Sequence, residues 1–214
     1  MSRRDWALSG FLLVFFAVGF AGHIAPGSRA LMAGLTPLAI LVTACVVAVP
    51  VVSERNVGIA LWVLGAAVLG FAVEAVGVAT GALFGSYSYG SALGPRLLGV
   101  PVVIGLNWAL VVLGSVSFSA RVIAGPWASA ILAGALTTAF DWILEPFAVA
   151  AGYWSWTGGT VPLRNFAAWF VLAALLSLAF MRLKRSLRSP LPSVALLVQA
   201  AFFACLRVAG AAGA

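Results

Sequence analysis

The sequence has 214 residues, of which 64% are hydrophobic and only 8% are charged, and its formal net charge is +7. Soluble domains usually carry about a quarter charged residues, so this composition excludes a soluble globular fold. The mean hydropathy of +1.14 fits a chain made of apolar segments, each about 20 residues long, which is the length that a helix needs to cross a bilayer.

These segments predict an all-α fold, a polytopic integral membrane helical bundle of about seven transmembrane helices, with residues 1–214 forming a single transmembrane domain. Arg3 and Arg4 precede the first span, as in a signal peptide, but no small-residue cleavage site precedes a polar segment, so we expect this helix to be retained. In chain order, the predicted spans are 6–22, 33–52, 57–79, 98–118, 122–144, 166–181 and 190–209.

The basic residues predict the orientation of the bundle and contact with lipid headgroups, not with nucleic acid. With a cytoplasmic N-terminus, the inner face carries eight of them and the outer face four, as expected when positive charge stays inside. The chain is therefore predicted to be a multi-pass cell-membrane protein with loops 80–97 and 145–165 on its outer face. The inner set is Arg3, Arg4, Arg55, Arg121, Arg182, Lys184, Arg185 and Arg188, and the outer set is Arg29, Arg96, Arg164 and Arg207.

Three of the five acidic residues lie at the outer ends of apolar spans. Glu74 occupies such a position, where an ionisable side chain is costly unless it faces a cavity or a partner, and an ion pair with an arginine is the structural alternative. Asp141 and Glu145 are four residues apart, which places both carboxylates on one helix face. Two carboxylates this close in an apolar setting disfavour double ionisation, so one is expected to keep its proton and act as a general acid. Pro146 is expected to end the helix.

The remaining two acids, Asp5 and Glu54, lie in the N-terminal tail and in a short inner loop, and we expect both to be solvated surface charges. His23, the only histidine, is interpreted as an interfacial residue at the end of the first span. Cys45 and Cys205 lie in apolar runs without neighbouring ligands, so no metal site is predicted. The sequence has no glycine-rich phosphate loop and no dinucleotide fingerprint.

Aromatic side chains cluster in the two outer loops, next to the acids at the ends of the spans. An interfacial aromatic belt is the structural alternative, but the position beside the acids favours a site. Polar and aromatic residues elsewhere are expected to join them, and Arg164 would be able to hold one acid ionised while another keeps its proton. The loop aromatics are Tyr87, Tyr89, Tyr153, Trp154 and Trp156, and the additional residues are Asn107, Trp108, Arg164 and Asn165.

Four blocks of sequence between about residues 70 and 170 carry a family resemblance. They are Glu74 with TGALFGSYSY (80–89), then LG (93–94) with GVP (99–101) and NW (107–108), then DWILEPFAV (141–149) with GYWSW (152–156), and last VPLRNF (161–166) with Trp169. In this combination and order the chain resembles the membrane carotenoid-biosynthesis family that includes the carotenoid 1,2-hydratases. Thr160 and Arg164 depart from the family pattern, which more often has glycine and a small hydroxyl residue there.

The resemblance implies cofactor-independent hydration of the terminal C=C of an acyclic carotenoid end group. Protonation of that alkene gives a tertiary cation, which water captures, so the reaction needs an acid, aromatic faces and a base that orients water. Asp141, Glu145 and Glu74 are the implied catalytic residues, and the aromatic and polar residues above are the implied substrate-binding set. The implied substrate is a carotenoid dissolved in the lipid bilayer, and association with other carotenoid enzymes is a further expectation.

Two other functions stay open from the residues alone. A carotenoid end-group cyclase needs the same acid and the same cation but lets a neighbouring alkene capture it. A non-enzymatic membrane transporter or pigment scaffold is the second alternative, although transporters often show inverted repeats and broken helices, and neither is evident here.

Overall fold

The computed structural model describes residues 1–183 and 187–210, so Lys184 and Arg185 of the predicted inner set lie outside the described residues. Seven of the helices in this part of the chain, all except α2, are long and apolar enough to cross a membrane. The predicted all-α membrane bundle is therefore confirmed. In chain order the helices are α1 (Arg3–Ile24), α2 (Arg29–Gly34), α3 (Thr36–Ser53), α4 (Val57–Thr80), α5 (Val103–Val122), α6 (Pro126–Ala150), α7 (Leu163–Arg182) and α8 (Leu191–Val208).

In residues 1–183 and 187–210, four short strands lie between the helices, at one end of the bundle. They are β1 (Tyr87–Tyr89), β2 (Arg96–Leu97), β3 (Val100–Pro101) and β4 (Trp154–Trp156). β2 and β3 form a local antiparallel hairpin, while β1 pairs in antiparallel fashion with β4 from the other long loop. This pairing confirms that the two long loops share one end of the bundle.

Helix α5 occupies the centre of the bundle and packs against α4, α6 and α8. Glycines allow the helices to cross closely: a Cβ on Gly114 would lie 2.8 Å from the carbonyl oxygen of Pro192, and one on Gly134 would lie 2.9 Å from that of Phe170. Small residues at helix contacts are typical of membrane bundles, where close backbone packing drives association. This packing fixes α4, α5, α6 and α7, the helices that carry the polar residues of the site.

Two predicted helix boundaries were wrong for identifiable reasons. Helix α5 begins at Val103 and not at residue 98, because the β2–β3 hairpin occupies the preceding residues. Helix α6 runs through Pro146 to Ala150. Proline has no N–H and leaves the carbonyl four residues earlier without its helical partner. That carbonyl belongs to Trp142, and the Nη1 of Arg207 donates to it at 3.1 Å, which allows the helix to continue.

Asp5 and Glu54, which were expected to be solvated, form hydrogen bonds with the protein at the end of the bundle opposite the strands. Asp5 is only 5% exposed and forms a capping box with Ser2 at the start of α1, and its Oδ1 accepts a 2.7 Å hydrogen bond from the hydroxyl of Ser189. Glu54 is half-buried and accepts the backbone N–H groups of Arg188 and Ser189 at 3.2 and 3.3 Å. Both acids therefore join the start of α1 and the α3–α4 turn to the segment before α8.

Candidate active site

Glu74 of α4 is buried and accepts hydrogen bonds from three neutral donors. The hydroxyls of Tyr87 and Tyr89 both donate to its Oε2, the latter at 2.9 Å, and the indole Nε1 of Trp108 donates to its Oε1 at 2.9 Å. Gly70 makes room for this indole, because a Cβ there would lie only 2.6 Å from the Trp108 Cβ. The partners of Glu74 are thus two phenols and an indole, and not the arginine of the structural alternative.

The two phenols are fixed as donors. Burial, and then the neighbouring Glu74 carboxylate, raise the pKa of both Tyr87 and Tyr89 above the ordinary value for tyrosine. Both hydroxyls therefore keep their protons near neutral pH and donate to Glu74. The carboxylate is held in one orientation by hydrogen bonds to both of its oxygens.

Asp141 and Glu145 of α6 are also buried, and each accepts hydrogen bonds through one of its carboxyl oxygens. The Oδ2 of Asp141 accepts a 2.7 Å hydrogen bond from the side-chain amide of Asn165 on α7. The Oε2 of Glu145 accepts the indole N–H groups of Trp154 and Trp156 at 3.0 and 3.2 Å. Among the described residues, no donor contacts the Oδ1 of Asp141 or the Oε1 of Glu145, so these oxygens are available to water or substrate.

The β1–β4 ribbon positions four of the aromatic side chains. Its register pairs Tyr87 with Trp156, Ser88 with Ser155 and Tyr89 with Trp154. Because side chains alternate along a strand, the four aromatic rings lie on one face and the two exposed serines on the other. The tyrosines of β1 donate to Glu74 and the tryptophans of β4 donate to Glu145, so the ribbon connects two acids from different helices.

The aromatic pairs occupy the positions of the ribbon where side chains approach most closely. Backbone hydrogen bonds run from Thr157 to Ser86 and from Gly90 to Tyr153, at 2.9 and 2.8 Å. Hydrogen-bonded pairs alternate with non-hydrogen-bonded pairs in an antiparallel ladder, and facing side chains are closer in the latter. The aromatic pairs fall at these closer positions, with ring centroids 4.9 and 5.9 Å apart.

Together these side chains line a small cavity of about 30 Å³, called here the polar cavity because the three acids border it. A water molecule needs about 10–15 Å³ measured in this way, so the cavity has room for water between the three acids. The cavity is lined by Glu74, Tyr87, Tyr89, Asn107, Trp108, Asp141, Glu145, Trp154, Trp156 and Asn165 of the predicted site residues.

Two of the predicted site residues lie elsewhere. Tyr153 is 2% exposed and lines a larger neighbouring cavity together with Thr36. Its hydroxyl is hydrogen-bonded to the Thr36 hydroxyl and donates to the carbonyl oxygen of Ala33 at 3.2 Å. Burial raises the pKa of this phenol to about 12. Arg164 is exposed at the start of α7 and does not line the polar cavity. The structure therefore does not bring Arg164 against the acids.

The donor set gives little support for a bound metal ion. In residues 1–183 and 187–210, no group of three or more His, Cys, Asp or Glu side chains is arranged to hold one. His23 is buried near the end of α1, where its Nδ1 lies 2.7 Å from the Gly19 carbonyl oxygen and its ring packs against Phe147 and Phe202.

Comparison with known proteins connects this arrangement to one family. The sequence model of the family described as "Carotenoid biosynthesis protein" matches residues 35–212, which is most of the chain and includes Glu74, Asp141 and Glu145. The chain belongs to the carotenoid biosynthesis protein family. The resemblance seen in the sequence is therefore confirmed.

A curated relative aligns with part of the chain. Bisanhydrobacterioruberin hydratase of Haloarcula japonica is 33% identical over 135 residues, covering 59% of this chain and 45% of the relative. The match thus spans less than half the length of that hydratase. No solved structure matches the chain significantly.

Trp169 lines the polar cavity but is not among the predicted site residues. Its ring stacks on that of Trp108, with centroids 3.8 Å apart and planes at 18°, and it lines the polar cavity. It lies four residues after Asn165, hence on the same face of α7, and this spacing is the signal that identifies it. The apolar part of the cavity wall comes from Ile104 and Leu144.

Proposed function

We propose that this chain is a carotenoid hydratase that adds water to the terminal C=C of an acyclic carotenoid end group. The observation that carries the proposal is a cavity with room for water, bounded by three buried carboxyl groups and by aromatic rings. Membership of the carotenoid biosynthesis family and the partial similarity to a hydratase support the substrate class and the reaction.

The proposed reaction begins with proton transfer from the Asp141–Glu145 pair to the CH carbon of the terminal (CH₃)₂C=CH group. The alkene π electrons form the new C–H bond, and the positive charge develops on the carbon that carries the two methyl groups. The faces of Trp154, Trp156 and Tyr87 lie around the cavity and would stabilise this tertiary cation.

Water then attacks the cation and loses one proton to a carboxylate, which gives a tertiary alcohol and restores the acid. The net change is the addition of one water molecule, with no oxidation or reduction. Glu74 would orient the attacking water or balance the developing charge, because its donors hold the carboxylate in a fixed orientation at the cavity wall.

The test is to express the chain in cells that accumulate lycopene and to measure the masses of their pigments. A product heavier than lycopene by one water per modified end is the expected result. An isomer of unchanged mass would instead indicate an end-group cyclase, in which a neighbouring alkene captures the cation. Unmodified lycopene in membranes that contain the folded protein would contradict both reactions on this substrate.

A further inference from the structure

A second and much larger cavity adjoins the polar one. Its volume is about 440 Å³, within the range of about 300–1,000 Å³ found for pockets that bind small molecules. It lies between α1 and α3, with side chains of α5, α6 and α8 completing its walls. Most of these side chains are apolar, and aromatic rings such as Phe16, Phe140, Phe202 and Phe203 form much of the surface.

The mouth of this cavity faces the lipid. Val14 and Val18 on α1 are each 65% exposed, and Leu38 on α3 is 52% exposed, yet all three line the cavity. Apolar side chains exposed on the flank of a membrane helix contact acyl chains. A hydrophobic molecule is therefore able to pass from the bilayer into the cavity without crossing water.

The two cavities share a wall. Ile104, Asn107, Leu144 and Trp154 line both of them. Leu144 lies between Asp141 and Glu145 in α6, so the larger cavity ends beside the acids. Asn107 is half-buried, and no hydrogen-bond partner contacts its side chain in the described part of the chain. The Asn107 side-chain amide therefore lies at the boundary between the larger apolar cavity and the polar cavity.

We propose that the larger cavity binds the polyene chain of the substrate next to its reacting end, and that this chain enters laterally between α1 and α3. The inference rests on the proposed function, because it identifies the substrate-binding part of the same site. A hydrocarbon polyene needs no hydrogen bonds from the walls, and its terminal alkene would project past Ile104 and Leu144 toward the acids. Asn107 would hold the water on the polar side of this boundary.

A polyene fits this arrangement better than a lipid acyl chain does. An acyl chain would fill the apolar volume, but it carries no group for the three buried carboxyl groups that border the far end. The binding of a hydrocarbon that ends in a terminal alkene uses both cavities at once. A tightly bound phospholipid that lycopene does not displace would overturn the proposal.

The test compares two substitutions on α3. Ala39 lines the cavity, whereas Ala48 is exposed on the same helix and does not line it. Ala39→Trp should fill the cavity, while Ala48→Trp adds the same side chain toward lipid. In a Glu145→Gln background, which is expected to leave bound substrate unconverted, each protein is purified from lycopene-producing cells and the retained lycopene is measured by visible absorbance.

We expect Ala39→Trp to lower lycopene retention by about tenfold or more, because a filled cavity must be emptied or distorted to admit the polyene. Ala48→Trp should retain as much as the unsubstituted protein. Gly19→Leu on α1 is the second variant if Ala39→Trp does not fold, since Gly19 also lines the cavity and a Cβ there would meet only ordinary contact, at 3.6 Å from Phe202.

The same substitutions made with Glu145 intact separate this inference from the proposed function. If the parent protein hydrates lycopene and Ala39→Trp both retains and hydrates it equally well, the cavity is not the polyene site. If the parent protein leaves lycopene unchanged, the hydratase proposal fails, but a selective loss of retention in Ala39→Trp would still identify the cavity as the polyene site.

Discussion

The three carboxyl groups of the candidate site, those of Glu74, Asp141 and Glu145, differ in how many of their oxygens accept hydrogen bonds from protein donors. Burying a polar group is costly unless it is hydrogen-bonded, and Glu74 meets this requirement through both oxygens. Among the described residues, Asp141 and Glu145 each accept protein donors through one oxygen only. This difference supports the proposal that Glu74 is held in a fixed orientation and that the α6 pair supplies the proton.

The first prediction concerns this pair. Asp141→Asn and Glu145→Gln are each expected to lower the hydration rate by about 10²–10⁴-fold, the usual effect of removing a general acid or base. Each replacement retains the size of the side chain and removes its acidic proton. Rates of lycopene conversion are compared per amount of folded protein in the membrane, with Glu54→Gln, at the opposite end of the bundle, as the matched control.

Near-normal conversion by both Asp141→Asn and Glu145→Gln would show that the proton comes from elsewhere. Glu74→Gln distinguishes the remaining roles, since a large loss in that variant would assign Glu74 to the reaction. A small loss would limit Glu74 to supporting the ribbon through its tyrosine partners.

The sequence predicted which acids share the site, but not what holds them there. The spacing of Asp141 and Glu145 and the position of Glu74 follow from helix periodicity and span boundaries. The donors come from β1, β4, α5 and α7, and pairs such as Glu74–Trp108 are 34 residues apart. Local sequence patterns carry no information about such pairs. The hydrogen-bond partners of the acids could therefore be identified only in the folded structure.

At the level of elements, the β1–β4 ribbon is the feature that the sequence interpretation missed. Tyr-Ser-Tyr and Trp-Ser-Trp both show the alternation that is typical of strands, but each covers only three residues in a chain otherwise composed of apolar helices. The continuation of α6 through Pro146 is similar, because the compensating donor, Arg207, lies 65 residues from the Trp142 carbonyl. Both features depend on contacts between distant parts of the chain.

The second prediction tests whether the ribbon stays paired in the working protein. Ser88 and Ser155 are opposite each other on the exposed face, with hydroxyl oxygens 3.3 Å apart. They should form a hydrogen-bonded pair, whose Cα atoms are typically about 5.5 Å apart, a separation that a disulfide can span. Ser88→Cys with Ser155→Cys, in a background lacking Cys45 and Cys205, should therefore cross-link on mild oxidation and keep its hydration rate.

The cross-link is measured by the loss of free thiols in intact-protein mass spectra, and activity is compared before and after reduction. Ser88→Cys with Thr160→Cys serves as the control pair, since Thr160 lies outside the paired strand. A cross-linked protein that regains activity only on reduction would show that the ribbon must open during turnover.

Across the whole molecule, polar interactions are concentrated at the two ends of an apolar bundle. One end is joined by Asp5, Glu54 and Arg121, whose guanidinium donates to the carbonyls of Leu187 and Ser189 at 2.9 and 2.8 Å. The other end contains the three acids of the candidate site, Glu74, Asp141 and Glu145. Glu74 lies six residues before the end of α4, or about 9 Å along the axis. In the proposed reaction, water would enter from that end, whereas the polyene would arrive from the side.

The third prediction concerns which end faces the cytoplasm. The described arginines favour a cytoplasmic N-terminus, with Arg3, Arg4, Arg55, Arg121, Arg182 and Arg188 at one end and Arg29, Arg96, Arg164 and Arg207 at the other. The end that carries the ribbon and the acids would then face outward.

Single cysteines at Ser91 and Thr160, both exposed in the loops beside the ribbon, should then react with a membrane-impermeant thiol reagent on intact cells. The background lacks Cys45 and Cys205, which are exposed on the membrane-spanning helices α3 and α8. Ala124→Cys, in the exposed α5–α6 turn at the opposite end, should react only after the membrane is opened, because the reagent must first reach the cytoplasm. Labelling is measured by the mass added to the purified protein. The reverse pattern, with Ala124→Cys labelled on intact cells and the other two protected, would invert the bundle and require water to reach the acids from the cytoplasm.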